Sequence, residues 1–140
     1  MQSDTVDNLH VLLVERDELV RELFTMLLVG KGFIVDTASN AAAALEIVEK
    51  KIPDVIFSAL MLQDIDGFEL CRQFRKNPEL EDKLIVALTG YSSRGIREKV
   101  KAAGFDEYFL KPVNIDVLLS LLELVRSKRQ ATQTLPEVSL

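Results

Sequence analysis

The sequence predicts an α/β protein built on a doubly wound, five-stranded parallel sheet. Three observations point there. Short apolar runs and segments of helical period alternate five times along the 140 residues. The run "LIVALT" at 84–89 lacks polar alternation, as a strand covered on both faces does. Each strand-like run is followed by a segment long enough for a crossover helix, which makes neighbouring strands parallel and the connections right-handed.

Residues 9–14 form the first apolar run, with His10, the single histidine, read as a strand-edge side chain. Residues 17–29 follow with apolar positions 19, 20, 23, 24, 27 and 28, the spacing of a helix. Asp17 suits its N-cap, and Gly30 or Gly32 its end. Residues 33–38 alternate and are rich in β-branched side chains, which marks a second strand. Ser39-Asn40 can cap the helix "AAAALEIVEK", and Pro53 separates that helix from a strand at 55–58. A third helix is expected over 67–76 and a fourth strand over 84–89. A polar helix should start at Ser92 or Ser93 and end near Gly104. The fifth strand falls at 107–110, and Asn114 caps a final helix reaching about Arg129. Residues 9–129 are thus read as one domain, 1–8 as a flexible N-terminus, and 130–140 as a flexible tail or the start of a linker.

Composition narrows the function. Apolar residues are 48% and charged residues 28%, which suits a folded globular chain. The apolar runs are four or five residues long, too short to span a membrane. A net charge of −5 argues against direct nucleic-acid binding. The lone cysteine, Cys71, cannot pair within the chain and reads as a small buried side chain in a reducing cytoplasm. No Gly-rich phosphate loop, nucleophile–base pair or metal spacing is present, so an unrelated enzyme is not expected.

In open parallel sheets, sites form at the carboxyl ends of the strands. Here those ends are Glu15-Arg16, Ser58-Ala59, Thr89-Gly90 and Lys111-Pro112. The stretches around them, "VLLVERDELVRELF", "PDVIFSALMLQDIDGFEL", "IVALTG" and "GFDEYFLKPV", occur in order across residues 9–129. Together they resemble the receiver domain of the bacterial response-regulator family. The resemblance implies a flavodoxin-like receiver fold with strand order 2-1-3-4-5 and five helices. It also implies that position 59 holds the aspartate that accepts a phosphoryl group, and that two acids at 15 and 16 hold Mg²⁺.

This chain departs from both patterns. Ala59 offers a methyl group, which has no lone pair to attack phosphorus. Ser58 is adjacent but points to the other side of the strand. Arg16 brings only donors, whereas Mg²⁺ requires oxygen ligands. Glu15, Arg16 and Lys111 sum to a positive site, so Mg²⁺ binding is expected to be lost and no cofactor is expected. By resemblance, Thr89, Tyr108 and Lys111 match the switch hydroxyl, the switch aromatic and the phosphate-pairing lysine, and the bond before Pro112 is cis. Read without the resemblance, Thr89 is a strand-end residue and Tyr108 a half-exposed aromatic on an edge strand. Lys111 is expected to pair with Glu15, leaving Arg16 for solvent or Asp64. Asp66 before Gly67 should cap the third helix.

The expected function is then contact. A phosphorylation-independent, receiver-like signalling module would bind a protein partner such as a histidine kinase, an output domain or another signalling protein, or a second copy of itself. The alternative is a phospho-accepting response regulator rendered inert by an aspartate-to-alanine change at 59. The expected partner face joins the fourth helix, fifth strand and fifth helix. Arg94, Arg97 and Lys101 form a basic rim around Tyr108 and a ridge of Val117, Leu121 and Leu124. That ridge adjoins the sheet-facing side of the last helix, formed by Ile115, Leu118, Leu119, Leu122 and Val125. Their combined arc is roughly 220°, wider than a surface helix needs; the ridge either packs against neighbouring elements or stays exposed for a partner.

Overall fold

The computed structural model describes residues 8–90 and 92–134, with side chains through residue 129. Five parallel strands, β1 (His10–Val14), β2 (Ile34–Ala38), β3 (Val55–Ala59), β4 (Leu84–Thr89) and β5 (Glu107–Leu110), lie in the order β2-β1-β3-β4-β5. The helices are α1 (Glu18–Gly30), α2 (Ala41–Lys50), α3 (Gly67–Arg75), α4 (Ile96–Ala103) and α5 (Ile115–Thr134).

The pleat divides the core into two layers, because successive side chains leave opposite faces of a strand. Val11, Leu13, Val55, Phe57, Val86 and Leu88 meet Phe24 and Leu28 of α1 and Leu118 and Leu122 of α5. Leu12, Val14, Ile56, Ile85 and Ala87 meet residues of α2, α3 and α4, including Ala44, Leu70, Phe74 and Val100. β1 and β3 are buried along their whole length and β4 nearly so, whereas β2 and β5 keep exposed positions at the sheet edges.

Local caps explain most helix starts. Asp17 Oδ1 accepts from Leu19 N at 2.9 Å, Asn40 Oδ1 from Ala43 N at 2.8 Å, and Asn114 Oδ1 from Asp116 N at 2.9 Å. α4 departs from expectation. It starts at Ile96, not at Ser92 or Ser93, and Ser93 supplies only its carbonyl to Ile96 N. Gly95, the residue before it, has φ +86°, a conformation that only glycine adopts without strain. α5 is longer than expected, continuing through Thr134, so residues 130–134 are helix and not tail. Gln130, Ala131 and Gln133 are good helix formers, and no glycine or proline intervenes before Pro136. The expected flexible segments 1–7 and 135–140 lie outside the described residues.

Two polar groups join segments that are distant in the chain. His10 is buried inside the sheet, not at an edge, because β1 is flanked by β2 and β3; its Nε2 lies 2.6 Å from Asp36 Oδ2. Arg75 at the end of α3 donates to the carbonyls of Gly104 and Leu80 at 2.8 Å and of Lys83 at 3.1 Å, and pairs with Asp106 at 2.8 Å. Its guanidinium serves four acceptors at once. Arg75→Met should therefore destabilise the fold by about 3 kcal/mol in urea unfolding, since all four of these hydrogen bonds and the charge partner of Asp106 are lost. Arg72→Met, on the exposed side of the same helix, should move Tm by no more than about 2 °C.

Candidate functional site

The carboxyl ends of β1, β3, β4 and β5 open into a cleft of about 210 Å³ lined by Glu15, Arg16, Ala59, Leu60, Met61, Leu88, Thr89, Gly90 and Lys111. Backbone bonds hold each wall. Glu15 N donates to Ala38 O at 2.9 Å, Leu60 N to Leu88 O at 3.2 Å, and Lys111 N to Thr89 O at 2.8 Å. The bond between Lys111 and Pro112 is cis.

Glu15 is buried at 3% exposure, and both of its carboxylate oxygens are engaged. Oε1 receives Lys111 Nζ at 2.8 Å, and Oε2 receives Asp17 N at 3.0 Å. Its carbonyl accepts from Arg21 Nη1 at 2.6 Å. Ala59 places its methyl group at the end of β3, also buried. Ser58 is buried and donates to Ala59 O at 2.9 Å. Thr89 is buried at the end of β4, and Arg16 is exposed. The donor set does not fit Mg²⁺. One carboxylate already bonded to a lysine, a methyl group and a guanidinium do not make an oxygen ligand shell. Among the described residues, no three His, Cys, Asp or Glu side chains converge as a metal site.

The loop acids serve helices. Asp66 Oδ1 accepts from Glu69 N at 2.8 Å and caps α3. Asp64 does not reach for Arg16: its two oxygens accept from Ala41 N at 3.0 Å and Ala42 N at 2.9 Å, at the start of α2. The hydrogen bond from Ala41, with that from Ala42, holds its carboxyl below the usual carboxylate range. Sequence reasoning missed this cap because it joins residues 23 apart with no local signature. Gly67 lets the loop close on β3. A Cβ there would stand 2.3 Å from Ala59 O and 2.7 Å from Leu60 Cα, both backbone atoms.

The remaining expected residues lie on α4 and the turn before it, on β5 and on α5. Tyr108 is half-buried, with the Arg97 guanidinium 5.5 Å from its ring centroid. Arg94 and Lys101 are exposed. The three-residue ridge is divided. Val117 and Leu124 are 51% and 53% exposed, while Leu121 is half-buried against the core layer of α1 and α5. Cys71 is buried in α3, and burial pushes its thiol up to about 12, which leaves it unreactive at neutral pH.

Asp64→Ala should lower Tm by roughly 3 °C through loss of a helix cap. Because the folded pKa of Asp64 is depressed, its contribution is fully present above the unfolded carboxylate pKa and disappears as pH falls through the folded value. The Tm difference between wild type and Asp64→Ala should therefore shrink as pH is lowered below the ordinary carboxylate range. An undiminished difference at the acid end would contradict that assignment.

Comparison with known proteins agrees with this architecture. Residues 11–123 match the family model described as the response regulator receiver domain. The chain is 33% identical over 132 residues to a 14.6 kDa protein encoded in the sodA1 3′ region of Leptolyngbya boryana, covering 94% of this chain and 96% of that one. It is 32% identical over 127 residues to the phosphate regulon transcriptional regulatory protein PhoB of Rhizobium meliloti (strain 1021), covering 89% of this chain but 56% of that regulator. The chemotaxis response regulator CheY4 of Vibrio cholerae superposes with a TM-score of 0.78 at 29% identity, over 84% of this chain and 98% of CheY4. With that family match spanning most of the chain and the five-stranded topology in place, the protein belongs to the response regulator receiver domain family.

Proposed function

We propose that this receiver domain signals through protein contact, without accepting a phosphoryl group at position 59. The observation that carries the reading is Ala59 itself, a buried methyl at the β3 end where the family pattern calls for a carboxylate nucleophile. Two further features support it. Lys111, which the resemblance assigns to a phosphoryl group, is bonded to Glu15 at 2.8 Å. Arg16 adds a positive charge where a second metal-binding acid would be needed.

On this reading the output is a surface. The turn before α4 presents Arg94, α4 presents Arg97 and Lys101, and Val117 and Leu124 of α5 are half-exposed. Basic side chains around apolar ones favour a partner with an acidic rim, such as a segment of a histidine kinase or an output domain. Among the described residues no helix is long and apolar enough to cross a membrane.

The test restores the missing group. Ala59→Asp, incubated with acetyl phosphate and Mg²⁺, should gain no phosphoryl group by intact-mass measurement, because Arg16 still blocks the metal. Ala59→Asp with Arg16→Asp should gain it, since the surrounding frame is intact. Uptake by Ala59→Asp alone would favour a phospho-accepting regulator inactivated by a single change. For the surface, Val117→Ser with Leu124→Ser should abolish capture of the native partner without lowering Tm. Capture undiminished by that pair would remove α5 from the contact.

A further inference from the structure

The cleft at the carboxyl ends of the strands is small, and its lining is of two kinds. Its volume of about 210 Å³ lies below the roughly 300–1,000 Å³ of sites that enclose a drug-sized molecule. That is room for one side chain or one small ion. Part of the lining is apolar, from Ala59, Leu60 and Met61, and Met61 is 57% exposed, so this part reaches solvent. The rest is polar, from Glu15, Arg16, Thr89 and Lys111. A Cβ added at Gly90 would meet nothing within 4 Å, so the lining is open there.

The charges select the occupant. Glu15, Arg16 and Lys111 line the cleft, one negative and two positive. Both oxygens of Glu15 are already engaged, by Lys111 Nζ and by Asp17 N. Lys111 carries three N–H donors, its side chain is 34% exposed, and among the described residues it pairs with no second acid. Arg16 is exposed and makes no ion pair among the described residues. The neighbouring acids are turned to helix N-termini, where the positive end of the helix dipole meets them: Asp17 to α1, Asp64 to α2 and Asp66 to α3. Arg21 donates to the Glu15 carbonyl, and with Glu18 and Glu22 it lines a separate groove between α1 and Thr37. The lining is therefore matched by one negative charge.

A carboxylate on a short apolar stem meets both halves of this lining. A dianion such as sulfate fits less well. It sets two charges against a net of one, beside the ionised Glu15, and turns oxygens towards the methyl groups of Ala59 and Leu60. We propose that the cleft is a socket for one Asp or Glu side chain of a protein partner. Its carboxylate is held by Lys111 and Arg16, and its methylene stem lies against Ala59, Leu60 and Met61. The carboxylate that β3 lacks is then supplied from outside, non-covalently and without a metal ion. This inference rests on the contact reading above and names the chemistry of the partner at the cleft. It agrees in sign with Arg94, Arg97 and Lys101, which also favour an acidic partner.

The probes are the blocked peptides acetyl-Gly-Glu-Gly-amide and acetyl-Gly-Gln-Gly-amide, with sodium acetate and sodium sulfate at matched ionic strength. Each is titrated into the unaltered chain and followed by amide shifts. The Glu peptide should give saturable shifts at residues 16, 60, 61, 90 and 111, and bind at least about tenfold more tightly than the Gln peptide. It should also bind at least about threefold more tightly than acetate, which lacks most of the stem, and than sulfate. Arg16→Ala should weaken the Glu peptide at least about fivefold with Tm unchanged, because Arg16 is exposed and unpaired among the described residues. Ala59→Asp should abolish binding, since a carboxylate on β3 then takes the same place. The inference is overturned if the Glu peptide gives no saturable shifts or binds no better than the Gln peptide. Acetate binding as tightly as the Glu peptide would assign the cleft to a free small acid, and sulfate doing so would leave an adventitious ion only; either result overturns it. So does full affinity in Arg16→Ala or Ala59→Asp. No phosphodonor or Mg²⁺ enters these titrations, so failure of the socket is distinct from failure of the contact reading, which shows as a gain in mass from acetyl phosphate.

Discussion

Glu15 is a carboxylate almost removed from water, and a buried charge must be met by an opposite charge and by hydrogen-bond donors. Lys111 at 2.8 Å and the backbone N–H of Asp17 at 3.0 Å meet it. That pairing joins the ends of β1 and β5 across the ends of β3 and β4. It also engages the one lysine of the cleft. With a methyl at 59, Lys111 has no acid on β3 to share, and the lysine belongs to Glu15. The cleft is held together by a neutralised pair, with Arg16 outside it as an added positive charge.

The frame around that pair is ordinary sheet physics. Three central strands buried on both faces leave their carboxyl ends as the place where loops meet, and the pleat sends alternate side chains to two helical layers. Asp64 and Asp66, which look like site acids because they sit on the loop after β3, are engaged by the N-termini of α2 and α3. Gly67 allows that loop to fold back onto β3 within a distance that no Cβ would tolerate. The loop is therefore shaped by its own backbone bonds and caps, and it keeps its form without a reactive group at its centre. On the contact reading proposed above, function falls to the outer surfaces of the helices.

Much of this was legible in the residues, because much of it is local. Caps at Asp17, Asn40, Asp66 and Asn114 lie within three residues of the N–H groups they serve, and the five strands are marked by apolar runs. The strand order came from the resemblance, since no local pattern encodes which strands become neighbours. Contacts between distant residues stayed hidden: Asp64 with α2, Arg75 with four acceptors, and His10 with Asp36. The apolar period of α1 was visible, but periodicity does not say which apolar residues the sheet will cover. Only the packing separates Phe24 and Leu28 from the exposed Leu19 and Leu23. α4 was misplaced for a similar reason, since Ser92 and Ser93 look like caps while the chain turns at Gly95.

The most direct check on the contact-only account uses the unaltered chain. Intact-mass spectrometry after prolonged exposure to acetyl phosphate and Mg²⁺, followed by hydroxylamine to reveal any acyl phosphate, reads covalent transfer without altering a residue. The account predicts no added phosphoryl group and no hydroxylamine-sensitive species. A stable acyl phosphate on any carboxylate of the cleft or its loop would contradict it.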